Sequence, residues 1–412
     1  MNGHCDPRFA RVREIFEKSF AKGEEVGAAV AVYLHGEPVV DLWDGVADRH
    51  TGRPWAADTP AYAYSCTKAI TATVLLTLVE RGLVKVSEPV ATYWPEFGKP
   101  DVTVEHLLTH QAGLPIIDDP VPVEEFSDHP AIAARLAAQE PMWEPGSRHG
   151  YHALTYGFLL GEVIRRVSGK TAGELVAAEI AGPLGLDMWL GAPDHVIDRA
   201  ARLTTNRPAA RTADPAPTPM EASANGQPPA PAPAPVETPA AHGQAPADDL
   251  FTRMNRAFAD PQSPLNRALG NPDMQLLPGG ANHPAVMASG WPAAGLVTTA
   301  RALAGFYRAL VAGEILQERT LRDAIRRRVS GPDELLIVDS SFGLGYMRPS
   351  MTFLTPTAGH EGAFGHTGMG GFLGLGDVEH GLAFGYTPNR LARAADGALR
   401  GYLLLEASYQ AL

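Results

Sequence analysis

The sequence predicts a two-lobed α/β (α+β) protein, an antiparallel sheet flanked by helices joined to a mainly helical lobe. Three observations carry this. Short β-prone runs, Gly27–Leu34 (GAAVAVYL) and Pro38–Asp44 (PVVDLWD), stand near the start of the chain. Glycine-rich apolar runs, Gly371–Leu375 (GFLGL) and Gly381–Tyr386 (GLAFGY), stand near its end. Between them the segments read mainly as helices. Sheet signals at both ends place a sheet lobe at about residues 1–100 and 285–412, and a helical lobe at about 101–284.

Taken in order, Phe9, Val12, Phe16 and Phe20 recur at helical spacing with Arg and Glu between them and Gly23 after them. That is an amphipathic N-terminal helix with a glycine stop, and it needs a flat partner. His35-Gly36-Glu37, between the first two β-prone runs, reads as a hairpin turn, so the partner is an antiparallel sheet. From Cys66 to Arg81 the chain has no Gly or Pro, is rich in Ala, Leu and Thr, and stops at Gly82. A helix therefore begins just after Ser65. Further helices are predicted over Val104–Thr109, Pro130–Gln139, Ala153–Val167 and Thr171–Glu179, and again from about Arg390.

The stretch from about Arg207 to Ala247 breaks this texture, with PPAPAPAPVETPA at its centre and almost no large apolar residue. Such a segment buries too little surface to offset its ordering entropy. It reads as a disordered or polyproline-type insertion, 207–247, on the surface of a single catalytic unit spanning 1–412. Its other possible role is as a docking site for a polyproline-binding partner.

Composition narrows the function classes. The net charge of -12 argues against nucleic-acid binding, which depends on Lys and Arg. The cluster Arg326, Arg327, Arg328 reads as a solvated helix face. Two cysteines, Cys5 and Cys66, build no disulfide framework. Residues Met1 to Lys22 lack the apolar core of a secretory signal, and no stretch is long and apolar enough to span a bilayer. A soluble cytoplasmic protein with no membrane span is the expectation.

Ser65-Cys66-Thr67-Lys68 is the leading chemical constellation. A Ser and a Lys three residues apart at the start of a helix share one face. The hydroxyl is a weak nucleophile until a base takes its proton, and a desolvated lysine is neutral enough to serve. A helix N-terminus also favours negative charge developing on an attacked carbonyl. The same S-x-x-K form occurs at Ser19-Phe20-Ala21-Lys22, where the serine lies near the end of the amphipathic helix and reads as a packing or capping residue. The pattern alone is therefore weak.

Further segments, in order, strengthen it. They are His106-Leu107-Leu108-Thr109-His110-Gln111-Ala112-Gly113-Leu114-Pro115, Glu144-Pro145-Gly146-Ser147 before Tyr151, Pro183-Leu184-Gly185-Leu186, His366-Thr367-Gly368, and the late strand ending Gly385-Tyr386. With Ser65 they make the chain resemble the serine β-lactamase and penicillin-binding-protein family, closest to the class C β-lactamase-related esterases known as family VIII carboxylesterases. The resemblance spans nearly the whole chain outside the Pro/Ala-rich segment and implies the serine β-lactamase-like two-lobed fold. It implies Tyr151 as the tyrosine that shares proton handling with Lys68, as base in acylation and acid toward the leaving group. It also implies an oxyanion hole from the backbone N–H groups of Ser65 and Met369, with Gly368 allowing close approach and His366 facing substrate. Trp291, in Ser289-Gly290-Trp291, reads either as a pocket-lining residue or as core.

Two departures bear on substrate. The family's Y-x-N is Tyr151-His152-Ala153 here, so the side-chain amide that contacts a β-lactam is missing. Its K-T-G is His366-Thr367-Gly368, where a permanent cation has become a histidine charged part of the time near neutral pH. Both changes favour a neutral or variable small-molecule ester over a penicillin-like acid. Alternatives with the same mechanism are a β-lactamase or a D-amino-acid peptidase, and a non-enzymatic one is a slowly acylated penicillin-binding or sensor protein. No G-x-S-x-G and no H-E-x-x-H occur, so neither an α/β-hydrolase elbow nor a zinc-protease helix has a candidate. His149, His152, His360 and His366 leave a metal as a minor possibility, and the expectation is no metal and no cofactor. Cys66 reads as a small buried residue.

Overall fold

The computed structural model describes residues 1–205, 253, 256–257, 259–392 and 394–412. The expected insertion at 207–247, with its polyproline-binding role, lies outside the described residues.

Both ends of the chain build one seven-stranded antiparallel sheet. Its order is Asn2–Cys5, Glu37–Asp48, Gly27–Leu34, Leu382–Pro388, Leu373–Asp377 and Ala363–Thr367, with Arg53–Pro54 paired beside Glu37–Asp48. Gly27–Leu34 and Glu37–Asp48 form the predicted hairpin. Its turn residues His35 and Gly36 take φ of 50° and 89°, and two positive values suit a tight turn to the right-handed strand twist. The second strand continues to Asp48, beyond the predicted end at Asp44.

Side chains alternate between two cores. On one face Ala28, Val30 and Val32 pack with Phe9, Val12 and Phe16 at the helix Ala10–Ala21, and with Leu404 and Leu405 of the C-terminal helix Ala394–Tyr409. On the other, Ala29 and Ala31 share a core with Ala300, Leu303, Ala304 and Tyr307 of the helix Ala300–Val311. The N-terminal helix thus has the flat partner its apolar stripe requires. Burying each such large side chain stabilises the fold by about 1.5–3 kcal/mol.

After residue 285 the chain also forms helices that flank the sheet. Ala300–Val311 and Glu318–Ala324 are helices, the first capped by Thr299, whose hydroxyl accepts from Ala302 N–H at 3.1 Å. Its apolar periodicity is clear, but it lies among glycine-rich strands whose composition it also explains. A Cβ at Gly385 would sit 2.4 Å from the Ala300 carbonyl oxygen, so helix and strand could not approach as they do. Arg326 to Arg328 do not form a helix face. They link Glu318–Ala324 to the strand Val329–Pro332, and Arg328 pairs with Asp323 at 2.7 Å and Glu105 at 3.6 Å.

The helices Val104–Leu108, His129–Ala138 and Thr155–Ser168 appear close to their predicted bounds. Thr171–Glu179 is instead a short turn, Ala172–Leu175, capped reciprocally by Thr171 and Glu174 and passing into a π-helical stretch, Val176–Ala181. The helix Thr67–Glu80 has no solvent-facing side over Thr67 to Leu78, which are all buried. It shares one core with residues of both lobes, among them Leu107, Leu160, Leu303 and Phe364. Among the described residues no helix is long and apolar enough to cross a membrane.

Candidate active site

Ser65 ends a turn that is pinned on both sides. The strand Ala61–Tyr62 pairs with Leu296–Thr298, and Ala63 N–H donates to Leu296 O at 2.8 Å. The Thr67 hydroxyl donates to Tyr64 O at 2.5 Å and accepts from Leu296 N–H at 3.0 Å. Tyr64 takes φ of 46°, a left-handed conformation unfavourable for a bulky residue, and it persists because the surrounding packing determines it. Tyr62 and Phe372 hold its ring edge-on. Ser65 itself is partly exposed between the buried Tyr64 and Cys66.

One helical turn on, Lys68 is fully buried. Its Nζ lies 3.1 Å from Ser65 Oγ, 2.7 Å from the Ala153 carbonyl and 3.0 Å from the Ala293 carbonyl. No carboxylate is among these partners. Burial therefore pushes the lysine well below its usual range, because desolvation penalises the charged form. A neutral amine has two N–H groups and one lone pair. In that form the amine can donate its two N–H groups to the two carbonyls and turn its lone pair toward the Ser65 hydroxyl.

Tyr151 approaches from a loop of the helical lobe, and Lys68 Nζ stands 4.8 Å from the centre of its ring. Burial raises its phenol above the usual tyrosine range, with a hydrogen bond to Ser65 pulling the other way. His110 and Phe342 pack on the ring. Its backbone is fixed by Asp333, whose Oδ1 accepts from Tyr151 N–H at 3.0 Å and from Leu335 and Leu336 N–H at 2.9 Å. The second oxygen of Asp333 accepts from Ser340 at 2.7 Å, and Ser340 Oγ lies 3.0 Å from His149 Nε2. His152 is locked as a neutral ring: Nε2 accepts from Leu114 N–H at 3.0 Å and Nδ1 donates to Gly150 O at 2.7 Å. Burial takes it down to about 4.

The third motif ends the strand Ala363–Thr367. Cys66 Sγ lies 3.4 Å from the His366 carbonyl, and a Cβ on Gly368 would stand 2.4 Å from the Ala63 carbonyl. This glycine is what lets the strand end touch the Ser65 turn. The His366 ring is 6.1 Å from that of Tyr151. The expectation of a part-time cation at His366 is corrected here: burial, with Lys68 nearby, takes its pKa down to about 3, so the ring is neutral at physiological pH. Met369, next in the chain, carries an exposed side chain. Cys66 is buried, which raises its thiol to about 12, away from reactive thiolate chemistry.

Trp291 is not at the open surface of the site. It is wholly buried, edge-on to Phe126 and Phe158, and its indole N–H donates to Phe126 O at 2.8 Å. Its segment nevertheless bears on the site, since Pro292 O accepts from Thr71 at 2.6 Å and Ala293 O from Lys68. The second S-x-x-K is ordinary helix: Ser19 bonds to Phe16 O at 2.7 Å and Lys22 is exposed. Among the described residues no group of three His, Cys, Asp or Glu side chains is placed to hold a metal ion. His360 lies apart, at Thr355 O.

Sequence reasoning missed the carbonyls of Ala153 and Ala293 and the carboxylate of Asp333. Carbonyls carry no residue signature. Asp333 sits in a Gly-Pro-Asp-Glu turn where an acidic residue is unremarkable.

The profile of the family described as Beta-lactamase matches residues 12–409. An esterase/β-lactamase, LipL, of Mycobacterium tuberculosis (strain ATCC 25618 / H37Rv) is 35% identical over 400 residues, 94% of this chain and 83% of the relative. The crystal structure of a family VIII carboxylesterase matches with a TM-score of 0.81 at 32% identity, covering 100% of this chain and 99% of the other. A penicillin-binding protein homologue from Caulobacter crescentus matches with a TM-score of 0.78 at 34% identity, covering 100% and 99%.

Proposed function

The chain belongs to the β-lactamase family, and on that premise we propose that it hydrolyses carboxylic esters through an acyl intermediate on Ser65. The observation that carries this reading is the setting of Lys68, fully buried, 3.1 Å from Ser65 Oγ and otherwise bonded only to backbone carbonyls, where desolvation favours the neutral amine that can take the Ser65 proton.

Lys68 takes the Ser65 proton as Oγ bonds to the ester carbonyl carbon, and the carbonyl oxygen becomes an oxyanion held by the N–H groups of Ser65 and Met369. Tyr151, a neutral phenol, gives its proton to the departing alkoxide as the ester C–O bond breaks, and recovers it from Lys68. Water repeats the sequence in reverse: its proton passes to the amine, its oxygen bonds to the acyl carbon, and Ser65 leaves as the hydroxyl. The choice between the two candidate bases follows from burial. Phenolate is disfavoured at Tyr151 and ammonium at Lys68, so the amine accepts the first proton and the phenol donates the last.

Substrate class follows from charge. Burial disfavours the charged forms of both Lys68 and His366, and Ala153 has no side-chain amide where the family's motif carries asparagine. The motif residues thus supply no cation for a substrate carboxylate, which favours an uncharged ester over a penicillin or a D-amino-acid peptide. We read residues 1–412 as one catalytic unit, because Ser65, Tyr151, Asp333 and Met369 come from both sides of segment 207–247. Turnover of p-nitrophenyl butyrate beside nitrocefin tests the reading. Ester turnover lost in Ser65→Ala, with little or no nitrocefin hydrolysis, is the expected result. Faster nitrocefin than ester turnover would overturn the substrate assignment.

A further inference from the structure

The amide proposed to complete the oxyanion hole, Met369 N–H, sits in the tight turn Met369–Gly371 between the strands Ala363–Thr367 and Leu373–Asp377. A hole of this kind works only if its donors are fixed before charge develops. The turn's own bonds are local: Gly368 N–H to Phe372 O at 2.8 Å and Gly371 N–H to Gly368 O at 3.3 Å. From outside, the Gly370 carbonyl accepts from Ala392 N–H at 3.3 Å and, more closely, from Arg400 Nη2 at 2.9 Å.

Arg400 lies on the C-terminal helix and its guanidinium joins three parts of the chain. Nη2 also donates to Arg390 O at 2.8 Å, and Nη1 donates to Glu24 O at 2.9 Å and Glu25 Oε2 at 2.7 Å. Glu25 is 6% exposed, and its other oxygen accepts from the Tyr386 hydroxyl. The planar fork is therefore held in a fixed orientation by a buried carboxylate while it holds the turn. The same helix touches the turn a second time, because a Cβ on Gly397 would lie 3.1 Å from both Gly370 C and Gly371 N. A methyl group there would press on the turn, which would have to give by a few tenths of an ångström.

We propose that Arg400, oriented by Glu25, is a positioning residue for the oxyanion hole, and that Gly397 lets the C-terminal helix set the height of the Met369 amide. The inference rests on the acyl-Ser65 reading above. Arg400 touches no reacting atom; it acts through the Gly370 carbonyl.

Two substitutions move the turn by different routes. Arg400→Lys keeps the charge beside Glu25 but lacks the fork that also reaches Gly370 and Arg390. Gly397→Ala pushes on the turn by a few tenths of an ångström, and since Ala favours a helix interior over Gly it does not weaken the helix's own propensity. Loss of a whole oxyanion donor costs roughly 10²–10³-fold in kcat, so a displaced donor is expected to cost about tenfold. Tyr386→Phe serves as the control, because it disturbs the same buried cluster at Glu25 without releasing Gly370.

The experiment measures kcat and KM for p-nitrophenyl butyrate, and inhibition by phenylboronic acid, whose tetrahedral adduct places an oxygen in the hole. Arg400→Lys and Gly397→Ala are expected to lower kcat and boronate affinity about tenfold each with KM little changed, while Tyr386→Phe matches wild type. Wild-type kcat in Gly397→Ala, or an equal loss in Tyr386→Phe, overturns the proposal. Gly397→Ala decides the matter if Arg400→Lys does not fold. Ser65→Ala in the same assay separates the two readings: full activity there sinks the acyl-Ser65 mechanism, whereas an inactive Ser65→Ala beside unaffected turn variants sinks this inference alone.

Discussion

Replacing Lys68 with Met, a side chain of similar length, is expected to abolish turnover and to change stability in a way that depends on pH. Lys68 is fully buried and its pKa is pushed down from 10.5 by desolvation. In the unfolded chain the amine returns to its ordinary value. Between the folded pKa and 10.5 the unfolded state therefore binds one more proton than the folded state. Stability consequently rises with pH across that window and is lost as pH falls toward the folded pKa. One proton gives a slope of about 1.4 kcal/mol per pH unit. Met has no such proton, so wild type gains on Lys68→Met at up to about 1.4 kcal/mol per pH unit as pH rises between the folded pKa and 10.5. The mutant also leaves the carbonyls of Ala153 and Ala293 without their donor, at about 1–3 kcal/mol each, but that penalty does not vary with pH. Urea unfolding followed by tryptophan fluorescence, with six tryptophans in the chain, measures both variants at each pH. A difference that stays flat over this range would mean that Lys68 is an ammonium in the folded protein, and would remove it as the first base.

Three further outcomes follow from the site. Asp333→Ala removes the acceptor for the N–H groups of Tyr151, Leu335 and Leu336, and leaving buried donors unpaired at about 1–3 kcal/mol each predicts a loss of about 3 kcal/mol or more in urea unfolding, with a lower kcat. Gly368→Ala places a Cβ 2.4 Å from Ala63 O; the strand end must shift, and a misplacement near 1 Å costs about 10²-fold in ester turnover. His366, with its pKa down at about 3, gains its proton only well below neutrality, so His366→Gln is expected to leave the shape of the kcat/KM profile between pH 5 and 8 unchanged. A limb that disappears with the histidine would show that the ring titrates in that range.

Much of the fold was legible because its signals are local. The stripe Phe9, Val12, Phe16, the His35-Gly36 turn and the Gly-free and Pro-free run after Ser65 each specify an element without reference to the rest of the chain. The helix Ala300–Val311 is not singled out, although its apolar spacing is regular, because the adjoining glycine-rich runs dominate the local composition. Those glycines record the helix's own close approach, a tertiary fact with no local signature. At the site the same divide holds. Ser65, Lys68 and Tyr151 stand out by residue type and order. The depressed lysine and the neutral His366 depend on burial, which spacing does not reveal, and the carbonyls that orient Lys68 come from residues 153 and 293, distant in sequence and identifiable only when the chain is folded.

Acylation at Ser65 is tested most directly by intact-protein mass spectrometry within seconds of adding p-nitrophenyl butyrate, with peptide mapping of any adduct, for wild type and Ser65→Ala. The acyl-Ser65 mechanism predicts a transient butyryl adduct of one equivalent on Ser65 in wild type, and neither adduct nor turnover in Ser65→Ala. An adduct on another residue, or undiminished hydrolysis by Ser65→Ala, would contradict it.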